Sequence, residues 1–161
     1  MARAELDGVD RRILGELQRD GRLPNTTLAE RVRLSPSPCL RRVQGMENSG
    51  VISGYRAEVD RFAVGLGLTV FVEIKVSGHS REVADQIEQA VAAIPEVIGC
   101  HLVSGAADFL LEVVVADLQA YERLLLNTLL TLPGVEDLRS NFSLRAVKPA
   151  SPLPLDHLRR T

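Results

Sequence analysis

Arg31, Arg33, Arg41 and Arg42 fall between positions 31 and 44 with no acidic residue in that stretch. Ser35, Ser37, Pro38 and Gln44 share it. These side chains suit the reading of a DNA groove. An arginine can pair in bidentate fashion with guanine O6/N7, and a glutamine with adenine N6/N7. Serine hydroxyls and the open N–H groups of a helix N-terminus can hold a phosphate. A basic stretch is also what a solvated surface helix carries, so the elements around it decide between the two.

Those elements read as three helices and a wing. Asp7 can cap a first helix over residues 7–20, with Val9, Ile13, Leu14 and Leu17 on one face. Thr27-x-x-Glu30 fits a capping box for a short second helix. Leu34-Ser35-Pro36 opens a third, with Ser35 as cap and Pro36 at its first position, and Asn48-Ser49-Gly50 closes it. Val51 to Val59 reads as a short β-hairpin turning at Ser53-Gly54. At about 100° per residue, Cys39, Leu40, Val43 and Met46 gather on the inward arc of the third helix. Ser37, Pro38, Arg41, Arg42, Gln44 and Gly45 take the rest, with Arg41 nearest its centre. Arg31 and Arg33, on the turn, are placed for phosphate contacts. Residues 1–60 are thus expected to form a winged helix-turn-helix that binds double-stranded DNA.

After a connector at 61–67, carrying Gly65 and Gly67, the period changes. Leu68, Val70, Val72, Ile74 and Val76 alternate with polar or outward residues, as in a half-buried strand. A helix follows, marked by Val83, Ile87, Val91 and Ile94, then strands at 97–104 and 109–115. A second helix runs from Leu118 to Leu132, and a last strand alternates at Leu138, Ser140, Phe142, Leu144 and Ala146. The order βαββαβ over 68–148 predicts a ferredoxin-like domain, so the fold class is α+β. Ile94-Pro95-Glu96-Val97 and Leu132-Pro133-Gly134-Val135 echo one another and support two βαβ halves. The sheet face away from the helices would present Phe71, Glu73, His101, Arg139 and Asn141 as a mixed interface. A proline-rich tail at 149–161 reads as irregular or draped on a neighbour.

Composition narrows the class. A chain of 161 residues holds one large domain or two small ones, and its net charge of −2 argues against a protein that coats nucleic acid. No apolar run is long enough to span a bilayer and the N-terminus lacks a signal region, so the expected compartment is cytoplasmic with no membrane partner. Cys39 and Cys100 sit in apolar patterns as reduced packing residues. His79, His101 and His157 have no partner at metal spacing. No nucleophile elbow, phosphate loop or carboxylate pair is present, so no enzyme, metal or cofactor is expected.

The segments LDGVDRRILGELQRDGR, TLAERVRLSPSPCLRRV, GVISGY, VFVEI, CHLVSGAADFLL and LLTLPGVEDLRS together resemble the leucine-responsive regulatory protein/asparagine regulator (Lrp/AsnC) family, from Leu6 to about Lys148. The resemblance implies a transcription regulator with a C-terminal domain that binds a small effector, usually an amino acid. It implies homodimers assembling into tetramers, octamers or larger rings. It places the effector between neighbouring subunits, near the turn matching Leu102, Val103, Ser104, Gly105, Ala106, Ala107, Asp108 and Phe109. Leu118, Asn141 and Phe142 match positions that influence the effector response.

Physically, Gly105 leaves backbone N–H groups approachable for a carboxylate, and Asp108 could meet an ammonium group; a plain hairpin turn would use both residues as well. The chain departs from the family's Gly-Asp-x-Asp pattern, because Ala106 follows the glycine. The site's location therefore carries over and the effector's identity does not. The alternatives are an architectural DNA-binding protein without an effector, and an enzyme or enzyme subunit built on the ferredoxin-like module.

Overall fold

The computed structural model describes residues 6–77, 81–148 and 151–158, which leaves His79 and Pro149 outside the described residues. The chain divides into two compact units. One runs to Glu58 and takes in the chain again from Lys148, and the other spans Val59–Val147.

The first unit, the head, is built on α1 (Gly8–Leu17), α2 (Asn25–Val32) and α3 (Pro36–Asn48). Ile13, Leu14, Leu28, Ala29, Val32, Cys39, Val43 and Met46 form its core. Asp7 caps α1: its carboxylate accepts from the Val9 and Asp10 N–H groups, and Asp10 answers through the Asp7 N–H. Ser35 and Pro36 open α3 as the sequence predicts, although the Ser35 hydroxyl makes no capping bond.

Three expectations need correction here. α2 starts two residues before Thr27, because the Pro24 carbonyl takes the Leu28 N–H; Thr27 lies inside the first turn and cannot cap it. Leu40 is 44 % exposed and leaves the inward arc. Among the described residues no strand occupies 51–59. Ile52 donates to the Met46 carbonyl and lies half-buried on the core with Val51, after which the chain runs out exposed. A lone two-stranded ribbon has too little to bury to hold itself together, so the β-wing does not form.

The second unit is a four-stranded antiparallel sheet in the order β2-β3-β1-β4, from β1 (Leu68–Val76), β2 (Val97–Leu102), β3 (Phe109–Val115) and β4 (Val135–Phe142). Helices α4 (Arg81–Ala92) and α5 (Leu118–Asn127) complete βαββαβ. Val70, Val72 and Ile74 of the central β1 are fully buried with Ile87, Leu111, Val113 and Leu129. Their partners on the pleat, Phe71, Glu73 and Lys75, turn to the opposite face. The two echoed segments make matching turns: Val97 donates to the Ile94 carbonyl and Val135 to that of Leu132.

β4 begins earlier and stops sooner than its alternation suggests. Phe142 pairs with Val70 and Ser143 donates to Thr69, close to where β1 begins; beyond, Leu144 is 99 % exposed. Similarly, α5 ends at Asn127 and a single 3-10 turn, Leu129–Thr131, carries the chain to Leu132. Cys100 lies on the edge strand and is exposed, whereas Cys39 is buried and its thiol is pushed up by that burial.

The cores predict separable stability. Ile87→Ala should cost the second unit about 2–5 kcal/mol and leave the head untouched. Urea denaturation followed by amide signals from each unit tests this.

Candidate DNA-reading face and ligand cavity

The head's cations sort into two kinds. The Arg42 Nη1 donates to Asp7 Oδ2 and Asp10 Oδ1, both at 2.8 Å, and these carboxylates push its guanidinium further up. Asp10 is only 9 % exposed, so its charge needs this partner. Arg31 is held likewise by Glu16 at 2.8 Å, and Glu16 also takes Arg19. Arg42 and Arg31 therefore tie helices together.

Arg41, Arg33, Ser37 and Gln44 are exposed and show no side-chain hydrogen bond or ion pair among the described residues. Ser35 is exposed beside them and Pro38 half-buried. Arg33 is held in an unusual way. It ends α2 in the left-handed region at φ 59°, with the following Leu34 N–H reaching back to the Ala29 carbonyl. That conformation favours glycine and costs a residue with a Cβ about 1 kcal/mol. A cation sits in the tight turn where a stability-driven choice would be glycine.

In the second unit the effector candidates separate into two groups. Leu102 to Phe109 join β2 to β3 at the end of the sheet where β1 finishes. This turn is tightly held. Val103 donates to the Asp108 carbonyl, the Asp108 N–H to Ile74, and the Val76 N–H to the Asp108 carboxylate at 2.9 Å. Asp108 therefore has a structural task besides any ligand. Gly105 takes φ +131°, and Ser104 and Ala106 are exposed with it, while Ala107 is half-buried.

Leu118 and Phe142 lie at the other end, roughly 25 Å away by the rise of β1. There they line a cavity of about 410 Å³ with Gly67, Leu68, Ala116 and Asp117. Phe142 stands edge-on to Tyr121 at 5.5 Å between ring centres, and the Tyr121 hydroxyl pairs with Ser140. Asn141 lies on the open sheet face, donating to Glu73 at 3.0 Å, with Arg139 3.6 Å from the same carboxylate. A larger groove of about 580 Å³ runs along α5 past Ile94, Glu96 and Arg123 and contains none of the candidates.

Sequence reasoning missed Asp7, Asp10 and Glu16 as the holders of two of the arginines, and Gly67, Leu68, Ala116 and Asp117 as cavity walls. For the first set a signal existed: acids spaced along the first helix opposite a basic third helix. For the cavity none did, since its walls come together only when three strand ends meet. Among the described residues no cluster of His, Cys, Asp or Glu could hold a metal ion, and no helix is long and apolar enough to cross a membrane.

Asp7 and Glu16 are both held below the ordinary carboxylate value. Backbone N–H donation from Asp10 is the main cause at Asp7, and the Arg31 hydrogen bond at Glu16. Lowered folded values mean the stabilisation is complete above the unfolded pKa of about 4 and is lost as pH falls through the folded values. Head stability should fall in acid below about pH 4, and Asp7→Asn should flatten part of that dependence. Exchange of the Val9 and Asp10 amides against pH reads it out.

Comparison with known proteins follows the same division. Residues 6–47 match the AsnC-type helix-turn-helix domain, and residues 69–153 the Lrp/AsnC ligand binding domain. The chain is 46 % identical to the leucine-responsive regulatory protein of Escherichia coli (strain K12) over 149 residues, 92 % of this chain and 91 % of the relative. Its fold superposes with a TM-score of 0.91 on a transcriptional regulator from Neisseria meningitidis solved as an L-Met complex, at 39 % identity over 96 % and 99 % of the two chains. An AsnC family transcriptional regulator from Agrobacterium tumefaciens gives 0.90 at 38 % identity, over 94 % and 99 %.

Proposed function

We propose for this chain, which belongs to the Lrp/AsnC family of transcription regulators, that α3 reads operator DNA through Arg41 and that an amino acid modulates the binding. The observation that carries the reading is the division of the head's cations. Arg42 and Arg31 are consumed by Asp7, Asp10 and Glu16, while Arg41 stands exposed with Ser37 and Gln44 around it. Arg41 is the base reader, with Gln44 beside it. Arg33, Ser35 and Ser37 hold phosphate, and Pro38 packs at the start of the helix. Arg42 acts as the residue that orients α3 rather than as a contact to DNA.

The amino-acid effector is supported by the L-Met bound to the Neisseria regulator. Within one chain the turn 102–109 and the Leu118–Phe142 cavity stand at opposite ends of the sheet. One ligand can touch both groups only if a second copy supplies one of them. The effector therefore sits between copies, and the open sheet face with Phe71, Glu73, His101, Arg139 and Asn141 serves the dimer from which larger assemblies grow. Two or more heads then read spaced half-sites together, so a modest single-head affinity suffices. Ala106 and the engaged Asp108 carboxylate favour a second reading, in which assembly and DNA binding proceed without any effector.

Titration of the twenty amino acids, with heat, molecular mass and DNA binding followed together, decides between the two. A response to at least one supports the effector, and none for any favours the architectural protein. For the head, Arg41→Ala should weaken specific binding by about 1–3 kcal/mol and blur the footprint; an unchanged footprint would remove Arg41 as reader. Arg33→Gly should act in opposite directions. Relief of the left-handed backbone raises the head's melting temperature, while the lost cation lowers DNA affinity and reduces the salt slope by about one.

A further inference from the structure

Beyond Lys148, residues 151–158 return to the head. Leu153 donates to Gln18 Oε1 at 2.6 Å and its carbonyl accepts from Gln18 Nε2 at 3.4 Å, so one side-chain amide pairs with one backbone unit in both directions. Gln18 is the residue that caps the C-terminus of α1. Two residues on, Leu155 packs against the head core alongside Leu17 and Leu23, and a 3-10 turn at Asp156–Leu158 follows. These contacts leave Ser37, Arg41 and Gln44 exposed.

The head is thus connected to the ligand-binding domain twice, through the connector before β1 and through the segment after β4. Both connections leave the sheet at one residue. The Thr69 carbonyl accepts the Ser143 N–H at 3.0 Å, and its hydroxyl accepts from Arg61 Nη1 at 3.1 Å. Arg61 is fixed further by Glu112 at 3.0 Å. The 410 Å³ cavity, with Gly67 and Phe142 among its walls, lies at the same corner.

We infer that the C-terminal tail is a strap on the head, which closes its core at Leu155 and ties down the end of α1 through Gln18. Without the tail, the end of α1 and the part of the core beside Leu17 and Leu23 would lose their cover. The strap does not depend on which residues read DNA, because its effect exists in the protein alone.

Hydrogen exchange on the full chain without DNA tests it, with three variants: a stop after Lys148, Leu155→Ala and Gln18→Ala. The stop should speed exchange of the Ile13–Leu17 amides about tenfold or more, and the two substitutions severalfold, with the Val70–Ile74 amides unchanged as the internal reference. Exchange of α1 within about twofold of the parent after truncation would overturn the strap. Equal acceleration in α1 and β1 would overturn it as well, since it would mark a general loss of stability rather than loss of an anchor on the head.

Discussion

One guanidinium, that of Arg42, decides how the head presents itself. Asp7 and Asp10 sit one turn apart at the start of α1, and the first already caps that helix through two backbone N–H groups. Arg42 closes the set by donating to both carboxylates. A buried Asp10 without this partner would be a charge out of water with little to offset it. The pairing therefore adds to the burial of Cys39, Val43 and Met46, which sets the rotation of α3 about its axis. Once Arg42 faces α1, geometry at about 100° per residue turns its neighbour Arg41 to solvent. The same residue type performs two tasks at adjacent positions, one structural and one available for a ligand.

The left-handed Arg33 belongs to the same economy of the head. Its backbone would be easier as glycine, yet a cation stands at the turn that brings α2 to α3. Strain retained at this exposed charged position agrees with the phosphate contact proposed for Arg33. In the second unit the equivalent constraint is β1, the strand that pairs on both sides and buries Val70, Val72 and Ile74 completely. Its C-terminal end anchors the turn carrying Asp108, and its N-terminal end anchors both connections to the head. A central strand with a ligand candidate at each end is the reason the proposed site takes in a second copy of the chain.

Much of this was legible beforehand. The Asp7 cap, the Ser35-Pro36 start of α3 and the alternation of Leu68 to Val76 are local signals, each set by backbone hydrogen bonding or by the period of side chains. The paired Pro turns at Ile94 and Leu132 were equally readable. The errors lie where local signals compete. Thr27-x-x-Glu30 has the pattern of a capping box, but the chain had already entered the helix at Asn25. Val51 to Val59 has the look of a hairpin, but Val51 and Ile52 gain more from the head core than a two-stranded ribbon could return. Leu144 and Ala146 continue an alternation whose partner strand has ended.

By itself the sequence determined the family, the two domains and their order, and the basic face of α3, because those depend on periodicity and on residue types in fixed spacing. Tertiary structure alone decided which arginines are available. Helical spacing put Arg41 at the centre of the outward arc but kept Arg42 on that arc, and only the arrival of Asp7 and Asp10, some thirty residues away in the chain, ties Arg42 to α1. It alone also parted the turn at 102–109 from Leu118 and Phe142, and brought the tail back onto Gln18. Contacts between residues distant in the chain carry no period for a sequence to display, so packing had to reveal them.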